Sequence, residues 1–200
     1  VSLRRDVVGG LAVVGALTLI LAVGGGLYGL RLLNHGFSAL EAPSALEARV
    51  ARAARAFSMP SGAREQKNPL EPLPPKMLSE ARAHWADHCA VCHAADGSGQ
   101  TPIGKGLYPP APDMRAAATQ GLSDGELYWI IQNGIRLTGM PAWGQLHDGT
   151  RNRDSWALVS LIRTLPGLSP EALDEIKAGL PVSRHELNEQ RAEDAFLEGP

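Results

Sequence analysis

The chain has 200 residues, 44% of them hydrophobic, and 19 Lys and Arg stand against 21 Asp and Glu. That length suits one or two domains, the near-neutral balance lacks the basic, aromatic-rich stretch of a nucleic-acid binder, and two cysteines exclude a disulfide scaffold. Charge is uneven: residues 1–76 carry nine basic and five acidic side chains, residues 77–168 seven and eight, and residues 169–200 three and eight.

Residues 7–30, VVGGLAVVGALTLILAVGGGLYGL, hold no charge and almost no polar side chain. As a helix they extend about 36 Å, enough to cross a hydrocarbon core of about 30 Å. An arginine pair before an apolar core also begins a secretory signal. This core, however, exceeds the usual length of about 7–15 residues, and no clear small-x-small cleavage site directly follows it. A retained transmembrane anchor over residues 1–33 is expected. Arg4 and Arg5 bias its N-terminus towards the cytoplasm, with Arg31 partly offsetting them. Gly25 with Gly29, and Ala22 with Gly26, are small-xxx-small pairs that let a second helix approach closely. Glycine is common in membrane helices in any case, but the pairs suit an anchor packed inside a larger membrane complex.

Residues 34–76 read as an amphipathic helix and a linker. Ser44-Ala-Leu-Glu47 forms a capping box. Leu46, Val50, Ala53 and Phe57 follow on one face, with Arg49, Arg52 and Arg55 off it. Such a helix suits anionic headgroups, a partner subunit or a solvated spacer equally. Residues 58–76 contain five prolines and are expected to be semi-extended.

Ser79 is placed to cap a helix running from Glu80 to His93, which ends in Cys89-Ala90-Val91-Cys92-His93. CxxCH is the signature of covalent haem attachment. On a helix its three side chains share one side, so two thiols can add across the haem vinyl groups while His93 reaches the iron. A structural zinc site would need two further ligands at matched spacing, and no second pair exists. A thioredoxin-like redox pair would need a βαβ pattern, and no strand run is present.

Further on, Ser123 begins a helix whose apolar face is Leu127, Ile130 and Ile131, ended by Asn133-Gly134. Ser155 starts the last helix of this domain, with Trp156, Val159, Leu161 and Ile162 inward and Pro166-Gly167 as its stop. Trp129, Arg136 and Trp143 offer an N–H or a charge suited to haem propionates, and equally suit core or surface positions. Residues 167–200 form an acidic helical extension. One helix runs from Ser169 to Gly179 and another from Ser183 to about Leu197, suited to docking on a partner.

Residues 77–166 resemble the class I cytochrome c domain, in particular the bacterial single-haem variety related to oxidase-associated subunits. Ala81 and Trp85 stand where that family has a glycine and an aromatic residue that meet the C-terminal helix. The resemblance implies an all-α fold centred on one haem c, attached through Cys89 and Cys92. It further implies His93 and Met140, the latter in Gly139-Met140-Pro141-Ala142-Trp143, as the two iron ligands. Met59 and Met77 precede the motif, and Met114 follows His93 by only 21 residues. His88 adjoins Cys89 and cannot reach the opposite haem face, and His84, His147 and His185 have no motif support. The resemblance also makes a proline carbonyl in Tyr108-Pro109-Pro110-Ala111-Pro112-Asp113 the acceptor for the His93 ring proton. Pro110 is the first choice and Pro109 the second.

Some 90 residues make a small core, so the domain is expected to depend on the apolar mass of the haem. The function implied is single-electron transfer, with no substrate bond made or broken. The chain would serve either as a fixed subunit of a respiratory or photosynthetic complex or as a tethered shuttle between redox donors and acceptors. A haem enzyme or sensor would need an open iron position, which a Met140 ligand closes. Because cytochromes c receive haem outside the cytoplasmic membrane, the haem domain is expected in the periplasm.

Overall fold

The computed structural model describes residues 2–36, 38–144 and 150–181. Regular structure among them is entirely helical, and the chain divides into two units, residues 1–41 and 42–200. The first unit is one helix, α1 (Ser2–His35), whose Val7–Asn34 stretch is long and apolar enough to cross a membrane. Thr18 donates its hydroxyl proton to the Val14 carbonyl at 2.9 Å, as a polar group in hydrocarbon requires. Nothing lies within 4 Å of a Cβ built on Gly24, Gly25, Gly26 or Gly29, so that face of α1 is bare.

The second unit begins with α2 (Ala45–Ser58) and a short α3 (Ser61–Glu65). Then come α4 (Pro75–His84), a π-helical turn (Trp85–Cys89), α5 (Ala90–His93), α6 (Pro102–Gly106) and α7 (Ala117–Gln120). It continues with α8 (Asp124–Asn133), α9 (Thr150–Thr164) and α10 (Pro170–Ala178). The capping box at α2 forms as expected: Glu47 N–H donates to Ser44 Oγ at 3.2 Å, and Ser44 N–H to Glu47 Oε2 at 2.7 Å. Ser123 and Glu126 make the same reciprocal pair at α8.

The core lies where α4, the π turn, α8, α9 and α10 meet. Trp85, Val159, Leu161, Ile162 and Ile176 are at most 2% exposed there. Two starts differ from expectation. Pro75 at the first position of α4, with its fixed φ, opens the helix before Ser79, and Ser79 instead donates to Glu175 on α10. α9 begins at Thr150, and Ser155 sits inside it, buried, accepting from Gln132 Nε2 at 2.7 Å. The helix into the motif is also interrupted. The Ala90 N–H reaches back to the Trp85 carbonyl, and this i→i+5 register offsets the Cys89–His93 face from the face α4 buries.

Residues 59–73, expected to be a spacer, are strapped over α8 and α9. Met59 and Ala63 are 5% exposed. Asn68, 8% exposed, donates to the Trp156 carbonyl at 3.0 Å and to Ser160 Oγ at 2.8 Å. A proline-rich segment cannot bond to itself, so this side chain supplies what the backbone lacks.

On the other side of the core, α10 buries Ala172 and Ile176. Arg82 Nη1 donates to Glu175 Oε2 at 2.5 Å. Bonds from Ser79 and Arg82 hold the Glu175 carboxyl below its usual pKa. The unfolded chain therefore binds this proton more readily, and the contribution of Glu175, present above the usual carboxylate range, is lost as pH falls through its folded value. Glu175→Gln is expected to destabilise the protein by less than about 1 kcal/mol at pH 7, and urea unfolding at pH 7 and pH 3 should show that difference vanish in acid. The helix expected from Ser183 to Leu197, together with His147 and His185, lies outside the described residues.

Candidate functional site

One cleft of about 800 Å³, counted to its open mouth, is lined by the CxxCH turn, residues 107–112, residues 138–143 and the inward faces of α8 and α9. Cys89, Cys92, His93, Pro110, Met140 and Trp143 all lie on its wall. Trp129 and Arg136 do not. Both cysteines are free thiols. Burial first, and the neighbouring Cys92 second, push the Cys89 thiol up to about 12. No cluster of three metal-binding side chains occurs among the described residues.

The segment after the motif packs backbone against backbone. A Cβ on Gly104 would overlap the Cys92 carbonyl oxygen. Thr101 donates to the Val91 carbonyl at 2.8 Å, and Gly99 N–H to the His93 carbonyl at 2.8 Å. Ala94, directly after His93, has φ +63° and ψ 163°, a conformation that costs a non-glycine residue of order 1–3 kcal/mol. The Trp85 indole N–H holds it there by donating to the Ala94 carbonyl at 3.1 Å.

His93 is 9% exposed, its ring centroid 5.9 Å from that of Trp85. Burial lowers its pKa and favours the neutral imidazole, the form with a lone pair for a metal, while the Pro112 carbonyl acts in the opposite direction. Nδ1 is buried without a hydrogen bond of good geometry. The carbonyl that bears on the ring is that of Pro112. Bonds from Ala111 N–H to Gly104 O and from Met114 N–H to Gly97 O, both 2.8 Å, pin the loop on either side of Pro112, and Pro110 serves as cleft wall.

Met140 follows a tight turn. Ile135 N–H donates to the Met140 carbonyl at 3.1 Å, and Met140 N–H to Thr138 Oγ1 at 3.1 Å. Gly134, at φ +65°, lets residues 140–142 pass against it, since a Cβ there would come within 2.7 Å of three backbone atoms. Met114 also lines the cleft but packs on the buried core, whereas Met140 is not among the side chains that do. His84 and His88, passed over in the sequence, stand on the wall with centroids 5.0 Å apart, and the His88 ring meets Trp143 edge-on at 5.3 Å. Their i, i+4 spacing beside Cys89 was the available signal.

Two free thiols, a buried imidazole, a thioether free of the core and mostly apolar walls fit a large flat apolar cofactor held by thioether bonds. Residues 76–161 match the family described as cytochrome c oxidase, cbb3-type, subunit III. No curated protein and no solved structure matches the chain. Residues 76–161 thus resemble a c-type cytochrome domain, a kind that binds haem c covalently and transfers electrons, and the apolar helix ahead of them fits a membrane-anchored cytochrome c.

Proposed function

We propose that the chain carries a single haem c, bound through Cys89 and Cys92 with His93 and Met140 as iron ligands, and works as a fixed electron-transfer subunit of a respiratory or photosynthetic complex. The observation that carries this reading is the placement of both thiols, His93 and Met140 on the wall of one cleft. Haem, when bound, supplies an iron that alternates between ferrous and ferric. The chain's part is to hold the group and set its surroundings. Trp85 and the Ala94 peptide fix the end of the motif, and the Pro112 carbonyl orients the His93 ring, as outer partners of metal-bound histidines do. The soft Met140 sulfur favours the ferrous state and raises the potential. Trp143 offers its indole N–H to a propionate. The N-terminus lies in the cytoplasm and the haem domain in the periplasm, a reading supported by Arg4 and Arg5 and by the site of haem attachment. The small-xxx-small pairs Gly25 with Gly29 and Ala22 with Gly26 on one face of α1 support a fixed subunit over a shuttle. That face and the acidic residues 169–200 supply the contacts with neighbouring subunits.

Spectra of the purified holoprotein test the ligand set. Met140→Ala is expected to abolish the sulfur-to-iron charge-transfer band and to let the ferrous form bind carbon monoxide at least a hundredfold more tightly. Met114→Leu should leave both unchanged. The reverse pattern would move the ligand to Met114. Extraction in mild detergent is expected to bring other redox subunits along, and a lone monomer would overturn the fixed-subunit reading in favour of the shuttle.

A further inference from the structure

Two segments meet beside His93, and one side chain ties them together. The first is the turn that follows the motif, where Gly97, Ser98 and Gly99 are buried and Gly99 N–H donates to the His93 carbonyl. The second is the loop that carries Pro112. Arg115 uses all three guanidinium nitrogens across this seam. Nε donates to Asp113 Oδ1 and Nη2 to Asp113 Oδ2, both at 2.9 Å, while Nη1 donates to Asp96 Oδ2 at 2.8 Å. The Arg115 backbone N–H adds a bond to Asp113 Oδ1 at 2.9 Å, and Asp96 Oδ1 accepts the Ser98 N–H at 3.0 Å. Bonds from Arg115 hold the Asp113 carboxyl below its ordinary pKa. A single exposed ion pair contributes little. A bidentate fork shared between two carboxylates fixes geometry as well as charge.

What this clasp fixes is one peptide plane. The Pro112 carbonyl, which bears on the His93 ring, belongs to the peptide that joins Pro112 to Asp113. Gly99 lies against its oxygen, since a Cβ there would come within 3.2 Å of it. The bonds at Ala111 and Met114 set the course of the loop, yet this peptide can still rock between Pro112 ψ and Asp113 φ. Arg115 closes that freedom by gripping Asp113 through both carboxylate oxygens. Its bond to Asp96 ties the grip to the turn three residues beyond His93. The contacts thus run in a closed ring, from His93 through Asp96, Arg115, Asp113 and Pro112 back to the imidazole. A ring N–H held on a carbonyl makes the imidazole a more basic ligand, and ferric iron gains more from that than ferrous iron does.

We propose that Arg115 is a positioning residue for the iron ligand His93: by clasping Asp113 to Asp96 it holds the Pro112 carbonyl against the imidazole and lowers the reduction potential. The proposal rests on the reading of His93 as an iron ligand. Arg115 itself does not line the cleft. Lysine keeps its charge but not its fork, which separates the two ways an arginine can act on a nearby redox centre.

The test uses the full-length holoprotein in nanodiscs, with the potential read by spectroelectrochemical titration. Arg115→Lys is expected to keep the parental absorption spectrum. It should raise the ferrous-to-ferric ratio at fixed ambient potential about threefold, a shift of about 28 mV at about 59 mV per tenfold for one electron. Exchange of the His93 Nδ1 proton with deuterated solvent, followed by NMR of the ferrous form, should quicken about fivefold. Arg115→Gln removes the charge as well as the fork. Loss of a cation favours ferric iron, so its potential is expected below that of the lysine variant. A parental potential in Arg115→Lys with a lowered one in Arg115→Gln would reduce Arg115 to a nearby charge and overturn the proposal. A lower urea midpoint in Arg115→Lys with parental potential and proton exchange would also overturn it, by assigning Arg115 to stability alone. So would a changed absorption spectrum in that variant, which would spread the effect over the whole site. A parent holoprotein whose NMR shows no imidazole on the iron would count against the His93 reading itself.

Discussion

Trp85→Ala is expected to lower the unfolding free energy by about 4 kcal/mol, since truncating a buried aromatic residue costs about 3–5 kcal/mol. Trp85 is 1% exposed and stands where α4 gives way to the π turn, within the cluster that also holds Leu161, Ile162 and Ile176. Removing it opens a cavity bounded by three helices, none of which can close over it without leaving the others. It also strands the Ala94 carbonyl, which receives the indole N–H at 3.1 Å. A domain of this size has about 5–15 kcal/mol in total, so the loss takes a large share. Trp85→Phe separates the two effects. It keeps most of the packing and loses the hydrogen bond, worth about 1 kcal/mol, and it frees the left-handed Ala94 peptide next to His93. Urea unfolding of the holoproteins followed by circular dichroism measures both. An alanine variant as stable as the parent would show that the helix crossing does not depend on this ring.

How far the sequence discloses the fold depends on how local each determinant is. The two capping boxes, at Ser44 and Ser123, are complete within four residues and form as read. The CxxCH spacing places Cys89, Cys92 and His93 on one wall, because all three share a short stretch of chain. Ser79 misleads because its partner, Glu175, lies 96 residues away, while two adjacent prolines start the helix earlier. The strap over α8 and α9 hangs on Asn68 and its partners Trp156 and Ser160, a pairing that no periodicity announces. The sequence offers Pro110 and Pro109 for the His93 ring, while the bearing of the Pro112 carbonyl on that ring depends on the pinning of Ala111 and Met114 to Gly104 and Gly97, which only the folded chain displays. Leu137 is the inverse case: a leucine in sequence suggests burial, and its backbone angle puts it fully in water.

Gly104→Ala and Gly106→Ala place the same methyl group in one short helix, α6, with opposite expected outcomes. At Gly104 the new Cβ would overlap the Cys92 carbonyl oxygen and lie 2.8 Å from the Gly99 carbonyl oxygen and 2.9 Å from Thr101 Oγ1. The first two are backbone atoms that cannot rotate away, so α6 must move off α5. That movement breaks the Thr101–Val91 bond and the Ala111–Gly104 bond, and the second of these holds the loop that carries Pro112. The expected cost is about 3 kcal/mol, the upper part of the usual overpacking range, together with an altered absorption spectrum, because the strain falls on the haem-attachment residues. At Gly106 nothing lies within 4 Å of the new Cβ. There alanine only restricts the unfolded chain and is expected to stabilise by about 0.4–1 kcal/mol with an unchanged spectrum. Two variants of equal stability would show that α6 slides freely on the motif, and the close backbone approach would then not be what positions Cys92.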